Sequence, residues 1–138
     1  MYFTTEAKKL LADILDVDGL HIVYLTGNLG SGKTSFVKAF MSQIGFDPQD
    51  ILSPSFLKMY HYQASLGGVV HIDCYRMDSV ADIKNLGLVE YEDKLKLIFV
   101  EWPKIFSEYI KSSKIDFLSE AKITSLDIDD NHLLNWNM

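Results

Sequence analysis

The chain has one cysteine, three prolines and a single arginine, Arg76, in 138 residues. One cysteine cannot build an internal disulfide framework, nor a zinc site made from a cysteine cluster. No uncharged apolar run approaches the ~20 residues that a membrane-spanning helix needs. The opening stretch, MYFTTEAKKLLADILD, mixes acids among its apolar residues and does not read as a secretory leader. Repeats, low-complexity tracts and linkers are missing. Lys and Arg number 13 against 19 Asp and Glu, a net charge of −6, with no dense basic run. Direct nucleic-acid binding needs a basic footprint to neutralise phosphates, so gripping RNA or DNA is not the first expectation. What is present is 48% hydrophobic and 12% aromatic residues, enough for one buried core at this length. The chain reads as a single domain over residues 1–138, with a reducing cytoplasm as its expected home.

Residues 5–16 place Ala7, Leu10, Leu11, Ile14 and Leu15 on one helical face, with Thr5 as the expected N-cap. Leu20 to Thr26 (LHIVYLT) is apolar on both faces, as a central parallel strand requires. Beyond GNLGSGKT, residues 27–34, a second helical stripe runs through Phe36, Val37, Phe40, Met41 and Ile44, and Gly45 sits at its stop. Residues 51–56 (ILSPSF) read as a strand end and loop. Residues 56–62 and 68–75 read as strands around the turn QASLGG, a candidate hairpin. Asp78 opens a short helix over 79–86. Lys96 to Trp102 (KLIFVEW) is another buried strand, stopped by Pro103, and Ile105, Phe106, Tyr109 and Ile110 mark a final helix. Residues 122–128 and 133–136 form a terminal hairpin around Asp129-Asp130-Asn131. Early alternation of strands and helices predicts an α/β fold.

GNLGSGKT satisfies G-x-x-x-x-G-K-[ST], preceded by a buried strand and followed by an amphipathic helix. Glycines let the backbone wrap a phosphate with its N–H groups turned inward, and the helix that follows aims its positive end at the same point. Asn28, Leu29, Gly30, Ser31, Gly32, Lys33, Thr34 and Ser35 are the candidate binding residues. Lys33 reaches the β- and γ-phosphates, and the Thr34 hydroxyl ligates Mg²⁺. Such a site also needs an acid at a neighbouring strand end. Asp73 ends VVHID and Glu101 ends LIFVE, and ligands of open α/β sheets bind beyond the carboxyl ends of strands. Glu101 is favoured for the metal, Asp73 for water positioning or a shared metal contact. The alternative for each is a solvated strand-end acid. His71, Asp73 and Cys74 also admit a transition-metal reading, although no second ligand cluster accompanies them; Cys74 otherwise is a small buried hydrophobe. Ser53-Pro54-Ser55 is either a switch-like segment meeting the γ-phosphate or an ordinary turn. His21 and His61 read as strand residues without chemistry, and His132 carries no signal.

No N/T-K-x-D tetrad follows the loop, which disfavours guanine nucleotides, and no LSGGQ-type signature occurs. Small phosphotransferases clamp the transferring phosphoryl group with several cations. With Arg76 alone, slow hydrolysis completed by a partner fits better than transfer to a second substrate. A small-molecule kinase and a nucleotide-gated binding module that does not turn over stay open as rivals.

The loop GNLGSGKT, then SPSF at 53–56, HIDCYR at 71–76 and VEWP at 100–103 resemble the TsaE (YjeE) family in order and spacing, from Thr5 to the final hairpin. The resemblance implies a phosphate-loop NTPase-type three-layer sandwich: a central mixed sheet with parallel strands and added antiparallel hairpins. It implies a cytoplasmic Mg²⁺-dependent ATPase of tRNA threonylcarbamoyladenosine synthesis. Such a protein acts at the interface of TsaD and TsaB, with ATP and Mg²⁺ as cofactors. It meets tRNA only indirectly and no membrane; weak self-association is left open. By motif matching, Lys33, Asp73 and Glu101 are catalytic, and Thr34 and Glu101 hold the metal. Ser55 stands for the family's switch-loop threonine, Trp102 lies beside the nucleotide or packs as an ordinary aromatic, and Thr5 matches an N-terminal threonine near the nucleotide. Cys74 replaces a larger aliphatic and Ser55 a threonine; neither change removes a catalytic group.

Overall fold

The computed structural model describes residues 2–54, 58–113 and 115–137. Its elements run α1 (Thr4–Leu15), β1 (His21–Thr26), α2 (Lys33–Gln43), β2 (Met59–Ala64), β3 (Gly67–Asp73), α3 (Val80–Lys84), β4 (Leu95–Glu101), α4 (Lys104–Ser112), α5 (Asp116–Ser119), β5 (Lys122–Ile128) and β6 (Leu134–Asn137). Short 3₁₀ turns occupy Pro48–Asp50 and Leu88–Lys94.

The sheet order is β2-β3-β4-β1-β5-β6. The inner four strands are parallel, and β2 and β6 close the edges as antiparallel hairpin partners. Alternation puts both faces of β1, β3 and β4 in a core, which explains their mostly apolar sequences, whereas β5 keeps Lys122 and Asp127 exposed. Val23, Leu25, Leu97 and Phe99 face a core shared with Phe36, Phe40 and Leu10 of α1 and α2. Ile22, Tyr24, Ile98 and Val100 face a second core with Ile83, Phe106 and Leu118 of α3, α4 and α5. Two cores with one sheet between them make the three layers. Among the described residues no helix is long and apolar enough to cross a membrane.

Both hairpins form, but the first turn is tighter than the reading QASLGG: β2 runs on to Ala64 and β3 starts at Gly67, leaving Ser65 and Leu66 as the turn, and β3 ends at Asp73 rather than 75. Two helix starts differ. Thr5 lies inside the first turn of α1, and the N-cap is Phe3, at φ 70°. The ring of Phe3 is buried against Phe36, 5.9 Å between centroids, so tertiary packing overrides side-chain capping there. The second start belongs to Ser79, which forms a capping box with Asp82, while Asp78 donates its backbone N–H to Asp82 Oδ2. Leu15, read as part of the α1 stripe, is exposed. The helix marked by Ile105, Phe106, Tyr109 and Ile110 forms as α4, and the short α5 after it is one that the sequence reading does not contain.

This architecture brings the carboxyl ends of β1, β3 and β4 together at the start of α2. Register pairing sets Glu101 level with Asp73 on one side and with Leu25 on the other.

Candidate phosphate site

The chain leaves β1 at Thr26 and re-enters helix at Lys33 through a loop that only glycine permits at two points. A Cβ on Gly27, at φ 146°, would lie 2.5 Å from both the Ile128 carbonyl oxygen and Ser31 Oγ. Gly32, at φ 113°, caps α2, and a Cβ there would press to 3.0 Å on the Phe3 ring. Ser31 N–H donates to the Asn28 carbonyl (3.0 Å), and Phe36 N–H to the Gly32 carbonyl (2.8 Å). The loop thus curls back on itself as the helix begins.

Lys33 is 5% exposed. Its Nζ donates to the carbonyls of Gly27 (2.7 Å) and Asn28 (3.1 Å) and lies 4.2 Å from the centre of the Trp102 ring. Burial lowers the ammonium pKa, while Glu101 and Asp73 act in the opposite direction. The ammonium therefore stitches the loop closed and puts a positive charge beneath it.

Thr34 Oγ1 donates to Glu101 Oε2 at 3.0 Å. The same carboxylate oxygen meets His71 Nε2 at 2.6 Å, and His71 is fully buried. Facing a carboxylate, Nε2 carries the proton and donates. Glu101 is thereby held from two sides, by α2 and by β3. Asp73 Oδ1 accepts from Tyr75 N–H (2.9 Å), which fixes the second acid at the neighbouring strand end.

These groups share a cavity of about 450 Å³. Leu29, Gly30, Gly32, Lys33, Thr34 and Ser35 form one wall, and Ser53, Lys58, Asp73, Tyr75, Arg76, Glu101 and Trp102 the other. Nine of the sequence-derived residues therefore come together. Three do not line the cavity: Asn28 turns its amide to Asp130, Ser31 is buried under the loop, and Thr5 is exposed on α1. Ser55 lies outside the described residues. Trp102 lines the cavity over Lys33, and its ring lies 4.9 Å from that of Tyr75, tilted by 44°. Its φ of 56°, uncommon for a large side chain, sits at the strand end where Glu101 projects.

Sequence reasoning did not assign Lys58 and His132, and it read His71 only as a transition-metal ligand, not as a partner of Glu101. Lys58 lines the cavity at φ 66°, its carbonyl accepting from Asp73 N–H. His132 touches the phosphate loop through the Ser31 carbonyl. The transition-metal reading of His71, Asp73 and Cys74 does not hold together. His71 is committed to Glu101, and Cys74 is buried in the second core, where burial pushes its thiol up to about 12. Among the described residues no cluster of three or more His, Cys, Asp or Glu could hold a metal. The cavity lining offers four hydroxyls, those of Thr34, Ser35, Ser53 and Tyr75, and two carboxylates, oxygen donors that suit a hard cation keeping most of its ligands as water and phosphate. Loop amides, a buried ammonium and hard-cation donors in one cavity suit a polyphosphate.

Residues 3–129 match the family model described as threonylcarbamoyl adenosine biosynthesis protein TsaE. The chain is 36% identical over 120 residues to the tRNA threonylcarbamoyladenosine biosynthesis protein TsaE of Rickettsia conorii, covering 86% of this chain and 66% of that protein. The protein of the same name from Rickettsia felis is 35% identical over 126 residues, 90% and 68% of the two chains. That from Bacillus subtilis is 30% identical over 97 residues, 70% and 60%. The chain thus spans about two thirds of the length of these relatives. In fold it is similar to the crystal structure of YdiB from Bacillus subtilis, with a TM-score of 0.54 and 24% identity over 90% of this chain and 71% of that one.

Proposed function

The chain belongs to the TsaE family, and from that premise we propose that it is an Mg²⁺-dependent ATPase serving threonylcarbamoyl modification of the tRNA adenosine next to the anticodon, together with a TsaD–TsaB pair. The observation that carries this reading is the single cavity in which Lys33, Thr34, Asp73 and Glu101 meet, at the start of α2 and the ends of two parallel strands.

Each residue has a role that its surroundings support. The loop amides and Lys33 bind the β- and γ-phosphates, with the Trp102 face holding the ammonium in place. The Thr34 hydroxyl and the Glu101 carboxylate hold Mg²⁺, which when bound neutralises charge on the phosphate oxygens. His71 positions Glu101 by donating to it. Asp73, level with Glu101 and fixed by Tyr75 N–H, orients the attacking water. Ser55, which lies outside the described residues, and Thr5, exposed on α1 and off the cavity, have their γ-phosphate and nucleotide roles from the family resemblance alone. Arg76 is the one arginine at the cavity, so turnover by the chain alone is slow and a partner completes the positive field around the transferring group. With a net charge of −6 the chain contacts tRNA through its partners, in the cytoplasm, as one domain over residues 1–138.

The test is Mg²⁺-dependent phosphate release from ATP, with the chain alone and with a TsaD–TsaB pair added. Expected are weak release alone, a rise with the pair, and none in Lys33→Ala. Release indifferent to the pair, or unchanged in Lys33→Ala, would overturn the reading.

A further inference from the structure

We propose that the turn joining β5 to β6 is a positioning device for the phosphate loop, with His132 as its positioning residue. The inference rests on the phosphate-binding reading above and deepens it. His132 Nδ1 donates to the Ser31 carbonyl at 2.7 Å. In a planar trans peptide the carbonyl and the N–H of the next residue point in opposite directions. Ser31 is buried and does not line the cavity, whereas Gly32 does. Holding the Ser31 oxygen on the far side therefore aims the Gly32 N–H towards the cavity.

A second tie lies three residues earlier. Asn28 Nδ2 donates to both carboxylate oxygens of Asp130, at 3.1 and 3.3 Å. The two ties flank Leu29 and Gly30, so one turn about a hundred residues away in sequence brackets the tip of the loop. The turn is itself stiff. Asp129 Oδ1 accepts from the N–H groups of Asn131 (2.9 Å) and Leu133 (3.0 Å), and the Asp129 carbonyl from His132 N–H (3.0 Å). The imidazole is packed by Tyr2 (4.9 Å between ring centres) and edge-on by Phe3 (6.3 Å), the ring that also lies against Gly32. Asp130 and His132 lie beyond residues 3–129, the stretch that the family model matches. The function of the bracket is preorganisation: the loop amides are aimed before the anion arrives, so less ordering is left for binding to impose.

The backbone of His132 sits at φ 62°, which dictates the variants. His132→Gly removes the ring and suits that conformation; His132→Asn suits it and keeps a side-chain N–H donor. Binding of MgATP and of inorganic pyrophosphate is measured by calorimetry on the full chain, with thermal unfolding to confirm that each variant is folded. Expected is an about three- to tenfold loss for both ligands in His132→Gly, the worth of one hydrogen bond, recovered in large part by His132→Asn. Leu133→Ala, an exposed side chain in the same turn, leaves both affinities unchanged. Wild-type affinity in His132→Gly would overturn the proposal. So would no recovery in His132→Asn, which would make the ring mere packing, or a loss for ATP with none for pyrophosphate, which would place its effect at sugar or base. Wild-type protein that binds pyrophosphate and not ATP would overturn the nucleotide reading and leave this one standing; protein that binds neither would overturn both.

Discussion

His21 and Cys74 are ionisable groups that the fold keeps neutral. His21 is fully enclosed in β1, its Nε2 within 2.8 Å of Thr124 Oγ1. Burial, then the charge of Lys122, lower its pKa from 6.5 to about 4, with Asp13 opposing and Lys96 adding a smaller push down. The unfolded chain therefore takes up this proton first as the pH falls. The linked loss of stability begins near pH 6.5, grows to a few kcal/mol towards pH 4, and is nil above 6.5. Urea unfolding at pH 7.5 and 5 should show it, and His21→Gln should flatten the difference. The Cys74 thiol, raised to about 12 by burial and the neighbouring Asp73, should resist a thiol reagent at neutral pH until the protein is unfolded. Glu101 carries a structural duty besides its chemistry. Glu101→Ala leaves the fully buried Nε2 of His71 without its acceptor, a cost of about 1–3 kcal/mol in denaturant unfolding, most of which Glu101→Gln should restore. At this scale Lys33, Thr34 and Glu101 were legible because a loop motif and a strand end each announce themselves along the chain. The His71–Glu101 contact was not. His71 registers with Phe99, two places before Glu101, so the pair meets on a diagonal across parallel strands that no spacing within one segment reveals.

Elements were legible in proportion to their burial. β1, β3 and β4 are enclosed on both faces and read as mostly apolar runs, whereas α5 and the 3₁₀ turn at Leu88–Lys94 are too short to display a period. Helix starts failed where tertiary contacts decided them. α1 begins at Phe3 because that ring belongs under Gly32 and against Phe36. α3 owes its start to the Ser79–Asp82 box, in which Asp82 also serves Asp78 N–H. Ser79→Ala should therefore cost about 1 kcal/mol in denaturant unfolding, with little effect on phosphate release, since α3 packs on the face away from α2.

For the molecule as a whole, a ligand held between α2, β3 and β4 ties helix and sheet together. MgATP at a hundred times its dissociation constant should stabilise the folded state by about 2.7 kcal/mol, read as a rise in unfolding temperature. Lys33→Ala should abolish the rise. The α/β class was legible from the alternation of strands and helices, and the three-layer form from the family resemblance. The sheet order was not, because β1 pairs with β4 and β5, partners far along the chain.

That central place of β1 has a consequence for how the protein is made. The ribosome delivers His21–Thr26 and the phosphate loop early, yet one flank of β1 waits for Leu95–Glu101 and the other for Lys122–Ile128. Until the last of these has left the exit tunnel, an apolar strand stands with an open edge, available to a chaperone or a protease. Nascent chains arrested before residue 122 should be cut within 20–34 by a protease to which the finished protein is resistant.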